Sequence, residues 1–291
     1  MLAEKILEYP TNVLTDAQRA EYFDKGFVVL PKYVKEPWLG RLRAALHDLL
    51  ERSKGIKQSD GVFVLEAGHS AETPRLHRVN SPQDHHPTFW EFMTDPILTD
   101  LVADVVGPDV KFHHAKLNVK SEKGTQSFKW HQDIPGWPHT DFSPVTVGIY
   151  LEDCGPEQGP LAFVPGSHNG PLYPSYDDDG YFVGIPDDLV NQDEIELAVG
   201  EAGTVVMLNC RVIHGSGINR SDRPRPLLLP VYSSADSFAY TSSPIPSPRC
   251  GEIVRGSPAR FASFDLRPCP VPPPVRRNPW ARQAETAVQA Y

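Results

Sequence analysis

The residues with the clearest chemical potential are His131 and Asp133, separated by one residue in Trp130-His131-Gln132-Asp133, together with His214 and, eleven residues later, Arg225. Two imidazoles and one carboxylate cover one face of an octahedral ion and leave the other open. That is the ligand set of mononuclear non-haem Fe(II) sites, which hold a co-substrate and dioxygen side by side. A nearby guanidinium presents a planar fork that suits a carboxylate. Together these residues imply an iron centre with a clamp for a dicarboxylate.

Spacing alone does not select them. With 11 histidines and 37 acidic residues in 291 positions, a His-x-Asp/Glu pair arises about once by chance, and His139-Thr140-Asp141 is a second copy. Residue types favour the first: Phe128-Lys129-Trp130 suits a strand ending at His131, and ligands at strand ends are held rigidly while facing a cavity. His139 and Asp141 lie between Pro138 and Phe142-Ser143-Pro144, a loop composition. His214 follows the strand-like Val205 to Leu208 and precedes Gly215-Ser216-Gly217, expected as a tight turn that lets backbone approach an ion. Arg225 is then expected on the next strand, antiparallel to that of His214. His168, in Pro165-Gly166-Ser167-His168, competes as third ligand, but no arginine follows it at a comparable distance. His47, His69, His77, His85, His86 and His113 read as surface or hydrogen-bonded structural residues.

These groups need a scaffold. A capping-box pattern at Thr15-Asp16-Ala17-Gln18 predicts a helix to about Asp24, and Gly26 to Leu30 reads as a short buried strand. Pro37 followed by Leu39, Leu42, Leu46, Leu49 and Leu50 gives an amphipathic helical stripe. Segments 60–66 and 75–80 look like strands and 96–106 like a helix ending at Gly107-Pro108. From residue 110 onward strands dominate, at 110–120, 145–151, 161–164, 203–208 and 227–232, each bounded by turn residues. Helices followed by a run of strands predict an α+β, mainly β fold whose strands form a jelly roll or barrel. Gly170 to Asp188, rich in tyrosine and aspartate, is a candidate lid over the mouth. Thr241 to Pro279, proline-rich with six arginines, reads as an extended wrapping arm.

Composition bounds the rest. The length and 40% hydrophobic content fit one domain. A net charge of −9 argues against a nucleic-acid binder. With no run of 18 apolar residues and no basic-then-apolar start, neither a membrane span nor a secretory signal is expected. The four cysteines are widely spaced, which fits reduced thiols in the cytoplasm.

The chain resembles the phytanoyl-CoA dioxygenase family of Fe(II)- and 2-oxoglutarate-dependent oxygenases, and within it the ectoine hydroxylase branch. The resemblance rests on Leu14-Thr15-Asp16 with Gly26 to Leu30, Trp130 to Asp133, Gly159-Pro160-Leu161 through Pro165-Gly166-Ser167-His168, and His214-Gly215-Ser216 with Arg225. It implies a double-stranded β-helix, cupin-like, with buttressing N-terminal helices: 1–109 as buttress, 110–240 as core, 241–291 as arm. It implies His131, Asp133 and His214 as Fe(II) ligands, and Arg225 on the distal carboxylate of 2-oxoglutarate. Asn118, Ser216 and Thr146 are implied as further co-substrate contacts and Trp137 as lining the substrate side, where His114 and Lys116 are also placed although they depart from the glutamine and arginine of the ectoine hydroxylase branch. The implied reaction uses dioxygen to hydroxylate an unactivated C–H of a small metabolite, releasing succinate and carbon dioxide, in a monomer or homodimer. Asp133 argues against halogenation, because the resembling halogenases vacate that position for chloride. Where ectoine hydroxylases typically have Phe-Glu-Thr-Trp-His after the aspartate, this chain has Ile134-Pro135-Gly136-Trp137-Pro138, so substrate identity does not transfer. The alternatives are a cupin-like metal-binding isomerase, which has no need of Arg225, and a non-catalytic protein using its proline-rich tail as a ligand.

Overall fold

The structure, a computed structural model, describes residues 3–274. Helices α1 (Ala3–Ile6) and α2 (Asp16–Lys25) lead into strand β1 (Phe27–Leu30). Thr15 Oγ1 accepts from the Gln18 N–H while Gln18 Oε1 accepts from the Thr15 N–H, the reciprocal cap the sequence predicts for α2. The helix stops at Gly26, whose φ of 84° and contact with the His168 ring exclude any side chain. Helix α3 (Trp38–Ser53) follows and buries Leu39, Leu42, Leu46 and Leu49, each worth about 1.5–3 kcal/mol when fully buried.

Strands β2 (Phe63–Leu65) and β3 (Leu76–Asn80) precede α4 (Pro82–His85), α5 (Pro87–Thr94) and α6 (Pro96–Val106). The sequence reading missed α5, although Phe89, Phe92 and Met93 bury at helical spacing. The long strand β4 (Val110–Lys120) is followed by β5 (Phe128–His131), β6 (Val145–Tyr150), β7 (Leu161–Phe163), β8 (Glu196–Ala198), β9 (Val205–Asn209), β10 (His214–Ser216), β11 (Arg225–Ser234) and β12 (Ile253–Arg255).

The strands form two antiparallel sheets rather than a closed barrel. The larger runs β1-β9-β6-β11-β4-β3-β2, with β12 on the first residues of β4, and the smaller runs β5-β10-β7-β8. The larger sheet is coated by helices, and strand alternation divides its residues between two environments. On β4, Ala115, Leu117 and Val119 join the helix-side core, while His114, Lys116, Asn118 and Lys120 take the opposite face toward the smaller sheet. A smaller apolar cluster of Phe27, Tyr150, Leu161, Phe163, Leu208, Leu227 and Leu229 closes one end between the sheets. The other end stays open as a cavity.

Residues 241–274 return over the molecule. Strand β12 pairs with β4, Arg255 Nε lies 2.7 Å from Asp100 Oδ1, and Ser81 Oγ donates to the Pro246 carbonyl at 3.1 Å. Ile245 is buried and, with Pro244, forms part of the cavity wall. The remainder of the expected arm, from 275, lies outside the described residues.

Candidate active site

The cavity between the sheets has a volume of about 580 Å³, and all ten residues singled out from the sequence line it. His131 ends β5 and His214 begins β10, and the antiparallel register sets the two residues opposite each other with rings 4.2 Å apart. Asp133 Oδ1 lies 3.8 Å from His131 Nε2 and 4.0 Å from His214 Nε2. Among the described residues this is the single group of three metal-capable side chains that converges.

The histidines are oriented by backbone carbonyls. His131 Nδ1 is 2.8 Å from Lys129 O, and His214 Nδ1 is 3.1 Å from Val212 O. A carbonyl only accepts, so each Nδ1 carries the proton and each Nε2 presents its lone pair to the centre. Burial, reinforced by His214, pushes the His131 imidazole down to about 3, and burial lowers His214 as well, so both are neutral ligands at neutral pH. Burial works to raise the Asp133 carboxyl. His214, Lys116 and His131 and the hydrogen bond from Thr146 outweigh it and hold the group below its ordinary value. A donor set of two neutral imidazoles and one carboxylate, all facing one point, fits a divalent ion.

Arg225 enters from the facing wall. Its strand β11 pairs with β4 and β6 in the larger sheet, whereas β10 pairs with β5 and β7 in the smaller. This corrects the expectation of two neighbouring antiparallel strands. Gly215-Ser216 likewise continues β10 rather than forming a turn, and Gly215 is closely packed, since a Cβ there would lie 3.0 Å from Phe128 O and 3.2 Å from the Trp130 ring. Arg225 is buried, donates from Nη2 to Gly159 O at 3.1 Å, and keeps Nε and Nη1 without a partner. Unpartnered buried guanidinium N–H groups facing a cavity fit a carboxylate guest.

Thr146, expected on the co-substrate, instead donates to Asp133 Oδ2 at 2.7 Å, which commits its hydroxyl to orienting the carboxylate. Asn118 lines the cavity, but its Oδ1 accepts from Arg78 Nε at 2.9 Å, so its amide N–H groups are the part left for a guest. Ser216 sits on the smaller sheet with its carbonyl 3.4 Å from Lys120 Nζ. Trp137 meets His114 edge to face at 5.7 Å, and His114 Nδ1 is 2.6 Å from His113 Nδ1.

The rival ligands are engaged elsewhere. His139 is buried with Nδ1 2.7 Å from Trp137 O, Asp141 accepts from Ser143 Oγ at 2.7 Å, and His168 Nε2 lies 3.0 Å from Phe23 O. The lid segment folds back on itself through a Tyr176 to Phe182 bridge and sets the Phe182 ring 5.5 Å from His131. The sequence reading missed Arg78 and Lys120. Burial, with Arg225 beside it, pushes the Lys120 ammonium down to about 6, and it donates to the Gly217 carbonyl. Each occupies an inward position of a strand that had been identified, so strand alternation was the signal available.

Residues 22–227 match the phytanoyl-CoA dioxygenase (PhyH) family. A probable alpha-ketoglutarate-dependent hypophosphite dioxygenase of Stutzerimonas stutzeri is 28% identical over 227 residues, 76% of this chain and 79% of that protein. An ectoine dioxygenase of Sphingopyxis alaskensis is 26% identical over 272 residues, 87% of each. The crystal structure of EctD from S. alaskensis with 2-oxoglutarate and 5-hydroxyectoine superposes with a TM-score of 0.67 at 23% identity, covering 88% of this chain and 90% of that one, a likeness in fold. The family match takes in both sheets as far as Leu227, and the chain belongs to the phytanoyl-CoA dioxygenase family.

Proposed function

We propose that the chain is a mononuclear Fe(II)- and 2-oxoglutarate-dependent hydroxylase of a small metabolite, with His131, Asp133 and His214 as metal ligands and Arg225 as the clamp on the distal carboxylate of the co-substrate. The observation that carries this reading is the pairing of a carbonyl-oriented His-Asp-His face with an unpartnered buried arginine on the opposite wall. A cupin-like isomerase has no use for that arginine. When bound, the metal and its co-substrates supply the oxidising chemistry, converting 2-oxoglutarate and dioxygen to succinate and carbon dioxide as the substrate is hydroxylated.

The protein contributes position and exclusion of water. Lys129 O and Val212 O fix the imidazole tautomers, and Thr146 holds Asp133 by the oxygen that faces away from the histidines. Leu208, Leu227 and Leu229 give the co-substrate end an apolar lining, which strengthens the Arg225 contact. The lid, through Tyr176 and Phe182, closes the approach to His131. His114, Lys116 and Trp137 form the substrate side. The relatives are named for hypophosphite and for ectoine, two different small polar molecules, so fold and family leave the substrate to the local wall. The same proposal has the whole chain acting as one domain in the cytoplasm, as a monomer or homodimer that binds neither nucleic acid nor membrane. Among the described residues no helix is long and apolar enough to cross a bilayer.

The test is an anaerobic titration with Fe(II) and 2-oxoglutarate, followed by the visible metal-to-ligand charge-transfer band. A band in wild type, lost in His131→Ala and weakened in Arg225→Ala, is the expected result. A folded, iron-loaded protein without the band overturns the co-substrate assignment.

A further inference from the structure

The wall formed by β3 and β4 carries more positive charge than the proposed reaction centre uses. Arg78 and Asn118 are direct partners in the β3–β4 register, and Lys116 lies two residues before Asn118 on the same face. Both cations line the cavity, and among the described residues neither forms an ion pair. Arg78 is held in place, because Nε donates to Asn118 Oδ1 and the guanidinium lies 5.6 Å from the Phe128 ring centroid. With Nε occupied, the two terminal nitrogens are the edge left to a guest, the fork that receives an oxyanion through two parallel hydrogen bonds.

The other charges on the wall do not neutralise this pair. Asp60 also lines the cavity, with Oδ1 held by the Val62 and Phe63 N–H groups, and among the described residues it forms no ion pair with Arg78 or Lys116. Lys129 is exposed and adds to the positive side. Asp133 faces Lys116 but belongs to the metal ligand set. A divalent metal, Asp133 and a dicarboxylate co-substrate together carry one negative charge, which Arg225 offsets. Among the described residues Arg78 and Lys116 are left without an ion-pair partner in a low-dielectric cavity, an arrangement that an anionic guest would relieve.

We propose that the primary substrate is a small oxyanion, carboxylate or phosphorus-based, whose charged end is gripped by Arg78 and Lys116, so that the bond to be oxidised lies within a few atoms of the acid group. Arg78 is thus a specificity residue and Asn118 its positioning partner. The oxygenase reading above supplies the second half of this statement; the anion grip stands on the β3–β4 wall alone.

The test titrates acetate, methylphosphonate and the neutral isostere acetamide into anaerobic protein saturated with Fe(II) and 2-oxoglutarate, reading the charge-transfer band and tryptophan fluorescence. At least one anion is expected to bind saturably, with acetamide inert, and whichever anion binds tighter identifies the acid class. R78Q and K116Q are each expected to weaken that binding about tenfold or more, and R78K to recover part of the loss without the forked geometry. If R78Q does not fold, K116Q carries the comparison. Equal anion affinity in wild type and the folded variants, acetamide binding as tightly as acetate, or no saturable anion overturns the proposal. Calorimetry on metal-free Arg225→Met protein, which lacks the co-substrate clamp, separates the two readings. Anion binding that depends on Arg78 there, in the absence of a charge-transfer band in wild type, rejects the co-substrate assignment and retains the anion site.

Discussion

Replacing Arg225 with methionine is expected to move two properties in opposite directions. Arg225 is among the largest fully buried side chains, with one hydrogen bond to Gly159 O and two N–H-bearing nitrogens unpartnered. Burial lowers its pKa, but a guanidinium remains a cation, so the guest-free protein holds an uncompensated buried charge. A dicarboxylate satisfies both idle nitrogens. Charge-assisted hydrogen bonds contribute about 1.5–3 kcal/mol each, so their loss weakens 2-oxoglutarate by about two orders of magnitude or more. In the guest-free protein the substitution removes the unpaired cation and leaves Gly159 O without one donor, at a cost of about 1–3 kcal/mol. Relief of the buried charge is the larger effect, so the melting temperature rises by a few degrees. Wild type in 2-oxoglutarate at 100 times Kd gains about 2.7 kcal/mol, a gain the variant forfeits. Calorimetric Kd and thermal melts with and without co-substrate, on anaerobic metal-loaded and metal-free samples, give both signs. An Arg225→Met protein with wild-type affinity, or one clearly less stable than wild type without guest, refutes the reasoning.

Thr146→Val keeps the shape of the side chain and removes the donor to Asp133 Oδ2; metal affinity measured by competition with a chelator is expected to fall about 10- to 100-fold, and an unchanged affinity contradicts the positioning role. Ending the chain at Thr241 removes β12, the Arg255–Asp100 pair and Ile245 of the cavity wall; loss of solubility or of a cooperative melt is expected, whereas an intact, fully stable remainder would assign the arm to partners. Burial pushes His77 and His113 down to about 3 and His139 to about 4. The unfolded chain therefore binds more protons below about pH 6.5, and stability falls as pH drops, by at most about 1.4 kcal/mol per unit for each histidine. Denaturant melts of metal-free protein at about pH 7, 6 and 5 check the slope, and a flat profile rejects these neutral buried imidazoles.

The parts of the fold written in local patterns were legible. The reciprocal cap of α2, the leucine stripe of α3 and the strand at 110–120 appear within a few residues of where spacing and turn residues put them. The ligand triad was legible in part: residue types put His131 and Asp133 at a strand end, the family resemblance chose them over His139 and Asp141, and the three side chains of His131, Asp133 and His214 converge. Two features were not. Helix α5 is a short aromatic segment, and Pro87 beginning it also reads as a loop residue. Which sheet a strand joins depends on pairings far apart in sequence: β10 and β11 are consecutive in the chain yet belong to different sheets, so His214 and Arg225 meet across the cavity instead of along a hairpin. The reach of a side chain is hidden in the same way, and Thr146 finds Asp133 only after folding sets β6 beside the metal loop.

Strand β4 shows how stability and chemistry share one element. Its odd-numbered residues 115, 117 and 119 bury against the helices and fix the register, because a slip of one position would send His114, Lys116, Asn118 and Lys120 into the apolar core. The same register pairs Asn118 with Arg78 and Lys120 with Arg225, so the apolar face of the strand determines where the cationic face stands. That face is a liability without ligands, since four polar side chains in a row would contribute more to stability as hydrophobes. Its retention across the cavity from a preset metal triad is intelligible if anionic guests satisfy it. Stability gained on binding 2-oxoglutarate, and gained further on adding an oxyanion, is therefore the signature that separates a working site from an inherited scaffold.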